Sequence, residues 1–254
     1  MHYDWFVLLL GLHIIGDFYL QSNNIASEKE GNFKYVLLHA LLYAIPFTIF
    51  ALISKGNWAM FCLIVGSHGI VDTLKFLFHK SRIDKRTLLI VDQVLHILIL
   101  FYFSFFCFSE AWTETVKVSL GENFSTKVAI VLFLISLLKP ANIICKQIFI
   151  NNKNDENGIN KEPGRDKEAV TNSNSGKIIG SLERLIIALA LIAGQYTGIG
   201  LVLAAKTLAR HKQLNNEKFA EYYLIGTLFS ILFTIIMFLV FLPEIWQKLL
   251  TNTN

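Results

Sequence analysis

Long apolar runs separated by short polar ones set the pattern of this chain. Taken in order, they predict helical spans over about Tyr3–Leu20, Tyr35–Ser54, Trp58–Phe78, Thr87–Phe108, Thr126–Ile150, a sixth starting near Lys177, and about Phe219–Phe241. Runs of 18 or more apolar residues match the thickness of a bilayer core. The polar connections are Ser22–Lys34, the turn Lys55-Gly56-Asn57, the basic loop His79–Arg86 and the Trp- and Glu-bearing stretch Ser109–Ser125. Asn151–Gly176 is rich in Asn, Asp, Glu, Lys and Gly and reads as a flexible linker. The expected organisation is a transmembrane bundle over 1–150, the linker 151–176, and a C-terminal transmembrane hairpin over 177–254. The expected fold class is all-α, a polytopic bundle of six or seven spans.

Polar residues break these runs at helical spacing. His13 and Asp17, His68 and Asp72, and Asp92 and His96 are three i,i+4 pairs, with Lys75 three beyond Asp72 and His39 near the start of span two. On a helix each pair shares one face. An ionisable group at membrane depth costs roughly 2.5–3.5 kcal/mol on insertion scales, so such groups turn inward and serve a function. Depth follows from position along each span at about 1.5 Å per residue. Because alternate helices run in opposite directions, all these groups fall in one slab near one surface, together with Lys139 and Glu183-Arg184.

Composition agrees with a membrane protein: 54% of residues are hydrophobic, 21 are Phe and 17% are charged. The net charge of +4 is spread over loops, which sets nucleic-acid binding aside. Cys62, Cys107 and Cys145 lie in apolar segments at unrelated spacings and suggest neither a disulfide framework nor a thiolate metal site. The first apolar run has no preceding Lys or Arg and no small-residue cleavage site, and reads as a retained span. With seven alternating spans, loop Lys and Arg divide 13 to 7 in favour of an outside N-terminus and a cytoplasmic C-terminus. The four basic residues between spans six and seven argue the other way, as a re-entrant or half-crossing hairpin would. Trp5, Trp58, Trp112 and Trp246 sit at expected span ends, as in an aromatic belt, and Phe101–Phe108 reads as lipid-facing.

Imidazole with carboxylate suits a divalent metal, zinc first, with manganese or iron as alternatives. His13, Asp17, His68, Asp72, Asp92 and His96 are the candidate ligands, enough for two ions. His39 is a seventh ligand or a general base, and Lys75 an anion stabiliser. A metal-bound water of pKa about 7 would be the nucleophile. The plain alternative is that each His–Asp pair is a hydrogen-bonded tie between helices. Glu183-Arg184 reads equally well as a buried ion pair or as a tie to the Asp cluster. Arg210 and Glu221 could meet across the turn between spans six and seven, and Lys139-Pro140 marks a kink. His2, His79 and His211 lie at edges.

The motifs His13-x-x-x-Asp17-Phe18-x-x-Gln21, His39, His68-x-x-x-Asp72-x-x-Lys75 and Asp92-Gln93-x-x-His96 resemble a bacterial polytopic membrane family known as domain of unknown function 3307. A second block fits that resemblance: Gly176-Lys177-x-x-Gly180-x-x-Glu183-Arg184, Gln195-Tyr196, Ala205-Lys206, Arg210, Glu221-Tyr222 and Ile225-Gly226-Thr227-Leu228-x-Ser230. The likeness covers most of the chain outside 151–175 and implies membership without an activity. A looser likeness, in style of site, is to inner-membrane proteins described as metal-dependent hydrolases and to seven-span zinc hydrolases of lipid amides. The latter cluster histidines late in the chain, and the last two spans of this sequence offer none.

The expectation is therefore a multi-pass protein of the cell (inner) membrane whose first four spans surround a His/Asp metal site opening to one surface, read as cytoplasmic. Its expected work is metal-dependent hydrolysis of a lipid, phosphoester or other membrane-delivered substrate, with a partner protein or second copy possible. The rivals are a proton- or cation-coupled transporter and a non-enzymatic anchor subunit.

Overall fold

A computed structural model describes residues 2–54, 58–79, 83, 85–107, 124–149 and 166–252. The expected loop 109–123, the turn 55–57 and the linker segment 150–165 lie outside the described residues. Every regular element among the described residues is helical. Five helical stretches are long and apolar enough to cross a membrane: Phe33–Ile53, Trp58–Phe78, Thr87–Phe106, Thr126–Cys145 and Glu217–Phe241. These are the expected spans two to five and seven. The chain divides into two compact units, Met1–Ala129 and Ile130–Asn254.

The first unit contains α1 (His2–Ile14), α2 (Asn23–Glu28), α3 (Phe33–Ile53), α4 (Trp58–Phe78) and α5 (Lys85–Phe106). α1 continues into one π-helical turn, Ile15–Tyr19, where Leu20 N–H donates to Ile15 O across five residues (3.0 Å). Ser22 caps α2 by accepting from Ile25 N–H, and Asn32 caps α3 by accepting from Lys34 N–H. α3 packs on α4, α4 on α5 and α5 on α1, and the π turn closes the ring onto α3.

α3 carries its polar groups inward. Val36, His39, Tyr43, Phe47 and Phe50 recur at steps of three and four and are buried, whereas Leu37, Leu41, Ile45, Ile49 and Leu52 are exposed. An apolar outside around a polar inside is the arrangement that lipid, not water, stabilises. Trp5 departs from the aromatic-belt expectation: it is buried edge-on against Phe50, part of the core instead of an interfacial anchor. Phe101, Tyr102 and Phe106 are exposed, as a lipid-facing stretch requires.

In the second unit the chain breaks at the expected place, between α6 (Phe124–Ser136, begun in the first unit) and α7 (Lys139–Phe149). Pro140 has no N–H to continue the ladder. The carbonyl of Leu137, left open by the break, accepts from Arg184 Nε at 2.7 Å. The same guanidinium donates to Asn142 Oδ1 (2.6 Å), to Ser181 Oγ (3.3 Å) and, at longer range, to Ser230 Oγ (3.4 Å). Arg184 is therefore a clamp on a helix break, not half of a pair with Glu183. Glu183 accepts from Lys206 instead, at 2.6 Å.

The sixth span is two helices. α8 (Asp166–Ile192) already covers residues 166–176, which the sequence assigns to the linker. It ends at Gly194, whose φ of 67° suits glycine; Gln195 N–H caps the carbonyl of Ala190 (2.8 Å) and Gly194 N–H that of Leu191 (3.2 Å). α9 (Thr197–Ala209) then runs back along α8. Lys206 on Glu183 and Gly198 beside Ala190 fix the antiparallel pairing. A 3₁₀ turn at Gln213–Asn215 leads into α10 (Glu217–Phe241) and α11 (Pro243–Asn252). Lys206, Arg210, Lys212 and Lys218 thus return to the end of the unit where Lys177 stands, and the C-terminal helix lies at the opposite end. A single sixth crossing would have put them the other way round. The C-terminus therefore does not share the end where Lys177 stands, as seven single crossings would have placed it. Arg210 donates to Gln213 Oε1 (3.4 Å) at the turn.

Candidate functional site

The four helices of the first unit's ring bring the polar residues of spans one to four into one buried pocket. His13, Asp17, His39, His68, Asp72, Asp92 and His96 are all buried, none more than 9% exposed. Asp17 comes from the π turn, His39 from α3, His68 and Asp72 from α4, and Asp92 and His96 from α5.

Their donor and acceptor atoms converge. His39 Nε2 lies 3.0 Å from Asp17 Oδ1 and 3.3 Å from Asp72 Oδ2. His68 Nε2 is 3.8 Å from Asp17 Oδ1, and its Nδ1 is 3.6 Å from Asp72 Oδ2. His96 Nδ1 is 3.7 Å from Asp92 Oδ1. Two triads, Asp17/His39/His68 and Asp72/Asp92/His96, each offer three ligand atoms within 4.8 Å of one another. Gln93 Nε2 spans the pocket, donating to Asp17 Oδ2 (3.1 Å) and Asp92 Oδ2 (3.3 Å).

Close approach here does not mean hydrogen bonding. Both ring nitrogens of His39, His68 and His96, with Asp72 Oδ2 and Asp92 Oδ1, are buried without a hydrogen-bond partner. Leaving so many polar atoms unsatisfied costs about 1–3 kcal/mol each. Atoms packed at such separations without hydrogen-bond alignment have the spacing of ligands about 2.0–2.2 Å from a common cation.

Two of the three i,i+4 pairs meet as the spacing predicts, His68 with Asp72 and Asp92 with His96. His13 does not pair with Asp17. The π turn shifts Asp17 across to His39 and His68, and His13 Nδ1 is 3.1 Å from the Tyr43 hydroxyl. His13 joins neither triad, although its ring stands 5.6 Å from His68 and 5.3 Å from His96, centroid to centroid. Tyr43 also stacks on His68 at 3.5 Å, and His68 on His96 at 4.2 Å.

Lys75 Nζ donates to Asp92 Oδ2 at 2.6 Å. Lys29, from α2 in the polar loop, donates to Asp72 Oδ1 at 3.3 Å. Nothing in its sequence neighbourhood singled Lys29 out. Tyr43 had one signal, its position four residues after His39. His79 ends α4 beside Glu30 Oε2 (3.3 Å).

The other side of the pocket is closed. Below Tyr43 the core consists of Phe47, Phe50, Phe61, Trp5 and Leu100, and Phe61 meets both Phe47 and Phe50 ring to ring.

Residues 5–121 match the family described as "Protein of unknown function (DUF3307)". The match contains every residue of the pocket, and the second block of family-like positions, 176–230, lies outside it. No curated protein and no solved structure matches the chain.

Proposed function

We propose that the DUF3307 segment of this chain holds one divalent metal ion, zinc first, within the cell membrane and hydrolyses a membrane-delivered substrate with it. Asp17, His39 and His68 hold the ion, and Asp72 supplies a fourth donor from the far side of His39. The observation that carries the reading is the set of buried imidazole nitrogens crowded against carboxylate oxygens without hydrogen bonds.

The metal, when bound, supplies a water of pKa about 7 and an electrophilic centre for the scissile group. His96, stacked on His68, would serve as the general base, and Asp92 beside its Nδ1 would orient the ring. In this assignment His39 is a ligand and not a base, and His13 is a positioning residue tied to Tyr43. Gln93 holds Asp17 and Asp92 at fixed separation, as supporting groups around metal ligands do.

The aromatic layer beneath Tyr43 weighs against transport. A relay of protons or cations needs ionisable groups through the whole thickness, and among the described residues of the first unit the buried ionisable ones stop halfway.

The test is metal analysis of detergent-purified protein together with hydrolysis assays on ester and phosphoester lipids. Wild type is expected to retain stoichiometric zinc and to lose hydrolysis when zinc is chelated. Folded wild type that never takes up metal would sink the reading.

A further inference from the structure

We infer that Lys29 and Lys75 form the recognition site for a phosphate group on the substrate, exchanging their carboxylate partners for that anion. This rests on the metal reading above and names the class of molecule that the site accepts.

The two triads differ in their charge balance. In Asp17/His39/His68, among the described residues, no ammonium group is bonded to the carboxylate; Asp17 meets imidazoles and the Gln93 amide. Asp72/Asp92/His96 carries two: Lys29 on Asp72 and Lys75 on Asp92. Three carboxylates against two ammoniums leave the cluster one negative charge, which a single divalent ion at Asp17/His39/His68 turns into one positive charge. Buried net charge is costly, so the loaded pocket favours an anionic ligand.

Reach points to the same two residues. The Lys29 and Lys75 side chains retain 14% and 24% exposure, whereas those of Asp72 and Asp92 retain 2% and 3%. Lys29 caps the end of α2 and Lys75 lies in the last turn of α4, so two flexible stems reach the neighbouring carboxylates from different elements. Ammonium groups on flexible stems exchange partners readily. A phosphate presents enough oxygens to face both ammoniums and a metal together, and membrane lipids carry phosphate just below the surface. The exchange frees Asp92 next to His96, so binding of the anion also completes the orienting pair of the base.

The experiment is a titration of the zinc-loaded full-length protein in two arms. One uses inorganic phosphate with protein in a non-ionic detergent. The other uses nanodiscs of phosphatidylcholine with and without phosphatidic acid. Lys29→Met and Lys75→Met are each expected to weaken binding about tenfold and the double variant to abolish it, while zinc content stays at the wild-type level. Lys29→Arg and Lys75→Arg, which keep the charge, are expected to restore most of the binding. Binding in the first arm assigns a soluble phosphate, binding confined to the second a lipid headgroup, and either supports the proposal. Zinc-replete protein that binds neither probe, or binds them equally well in the double variant, overturns it and leaves the metal reading standing. Wild type without metal overturns both.

Discussion

Asp17 Oδ1 and His39 Nε2 meet at 3.0 Å although one stands on a π turn at the end of α1 and the other inside α3. A divalent cation beside them would bind both atoms together with His68 Nε2, 3.8 Å from the same Asp17 oxygen. Asp17→Asn and His39→Ala would each then remove a ligand and are expected to abolish stoichiometric zinc. His13→Ala, outside both triads, is expected to keep it. Acidification is expected to release the metal from wild type, because protons compete for the imidazoles. Metal analysis after dialysis over a range of pH checks all three, and equal zinc in His39→Ala and His13→Ala would refute the ligand assignment.

Gly16 makes the Asp17 position possible. A Cβ there would stand 2.8 Å from Tyr43 Cδ2 and 3.3 Å from Tyr43 Cα, so neither ring nor backbone can easily give way. Gly16→Ala is expected to destabilise the first unit by about 1–3 kcal/mol, as overpacking does. It should also weaken metal retention by moving Tyr43 off His68. Gly66→Ala is the control: nothing lies within 4 Å of its Cβ, and a helix interior gains up to about 1 kcal/mol from alanine. Thermal unfolding followed by Trp fluorescence separates the two.

The six paired residues were legible because a period of 3.6 inside apolar runs leaves ionisable groups nowhere to go but inward. His68, Asp72, Asp92 and His96 bear that out residue by residue. Lys29 was not legible: in the stretch Ser22–Lys34 a lysine looks solvated, and only the fold of α2 over the bundle brings it to Asp72. The His13–Asp17 spacing was visible, but one extra residue in a π turn rotates Asp17 away from His13, and no periodicity reports such a turn. The break in the sixth span was only half legible, for a related reason. Glycines at 194, 198 and 200 serve close packing and chain reversal alike, and hydropathy summed across a tight turn still reads as one run.

The hairpin at Gly194 has a consequence for topology that can be measured. Cysteine introduced at His211 is expected to react with an impermeant thiol reagent from the same side of the membrane as cysteine at Lys177. Cysteine at Thr251 should react from the opposite side. Labelling is done on intact and on opened vesicles, in a background with Cys62, Cys107 and Cys145 replaced. α9 has 13 residues and spans only about 20 Å, so it reaches the far surface only with help from the turn. If residues 211 and 251 label from one side, α8 and α9 do not form an antiparallel pair in the membrane.

Arg184 gives the last prediction. Its Nε fills the Leu137 carbonyl that the break before Pro140 leaves open, and its Nη2 holds Asn142 and Ser181. All these partners are neutral, so the guanidinium's value lies in the shape of its donor fork and not in ion pairing. Arg184→Lys keeps the charge but loses the fork. It is expected to destabilise the second unit almost as much as Arg184→Met, by about 1–3 kcal/mol for the carbonyl and amide left without donors. Asn142→Ala removes one acceptor of several and is expected to cost less. Glu183→Gln, which disturbs only the partly exposed bond to Lys206, is expected to cost about 1 kcal/mol or less. Denaturation of the four variants in one detergent ranks them. A wild-type-like Arg184→Lys would mean that charge, and not the clamp on the helix break, is what the position requires.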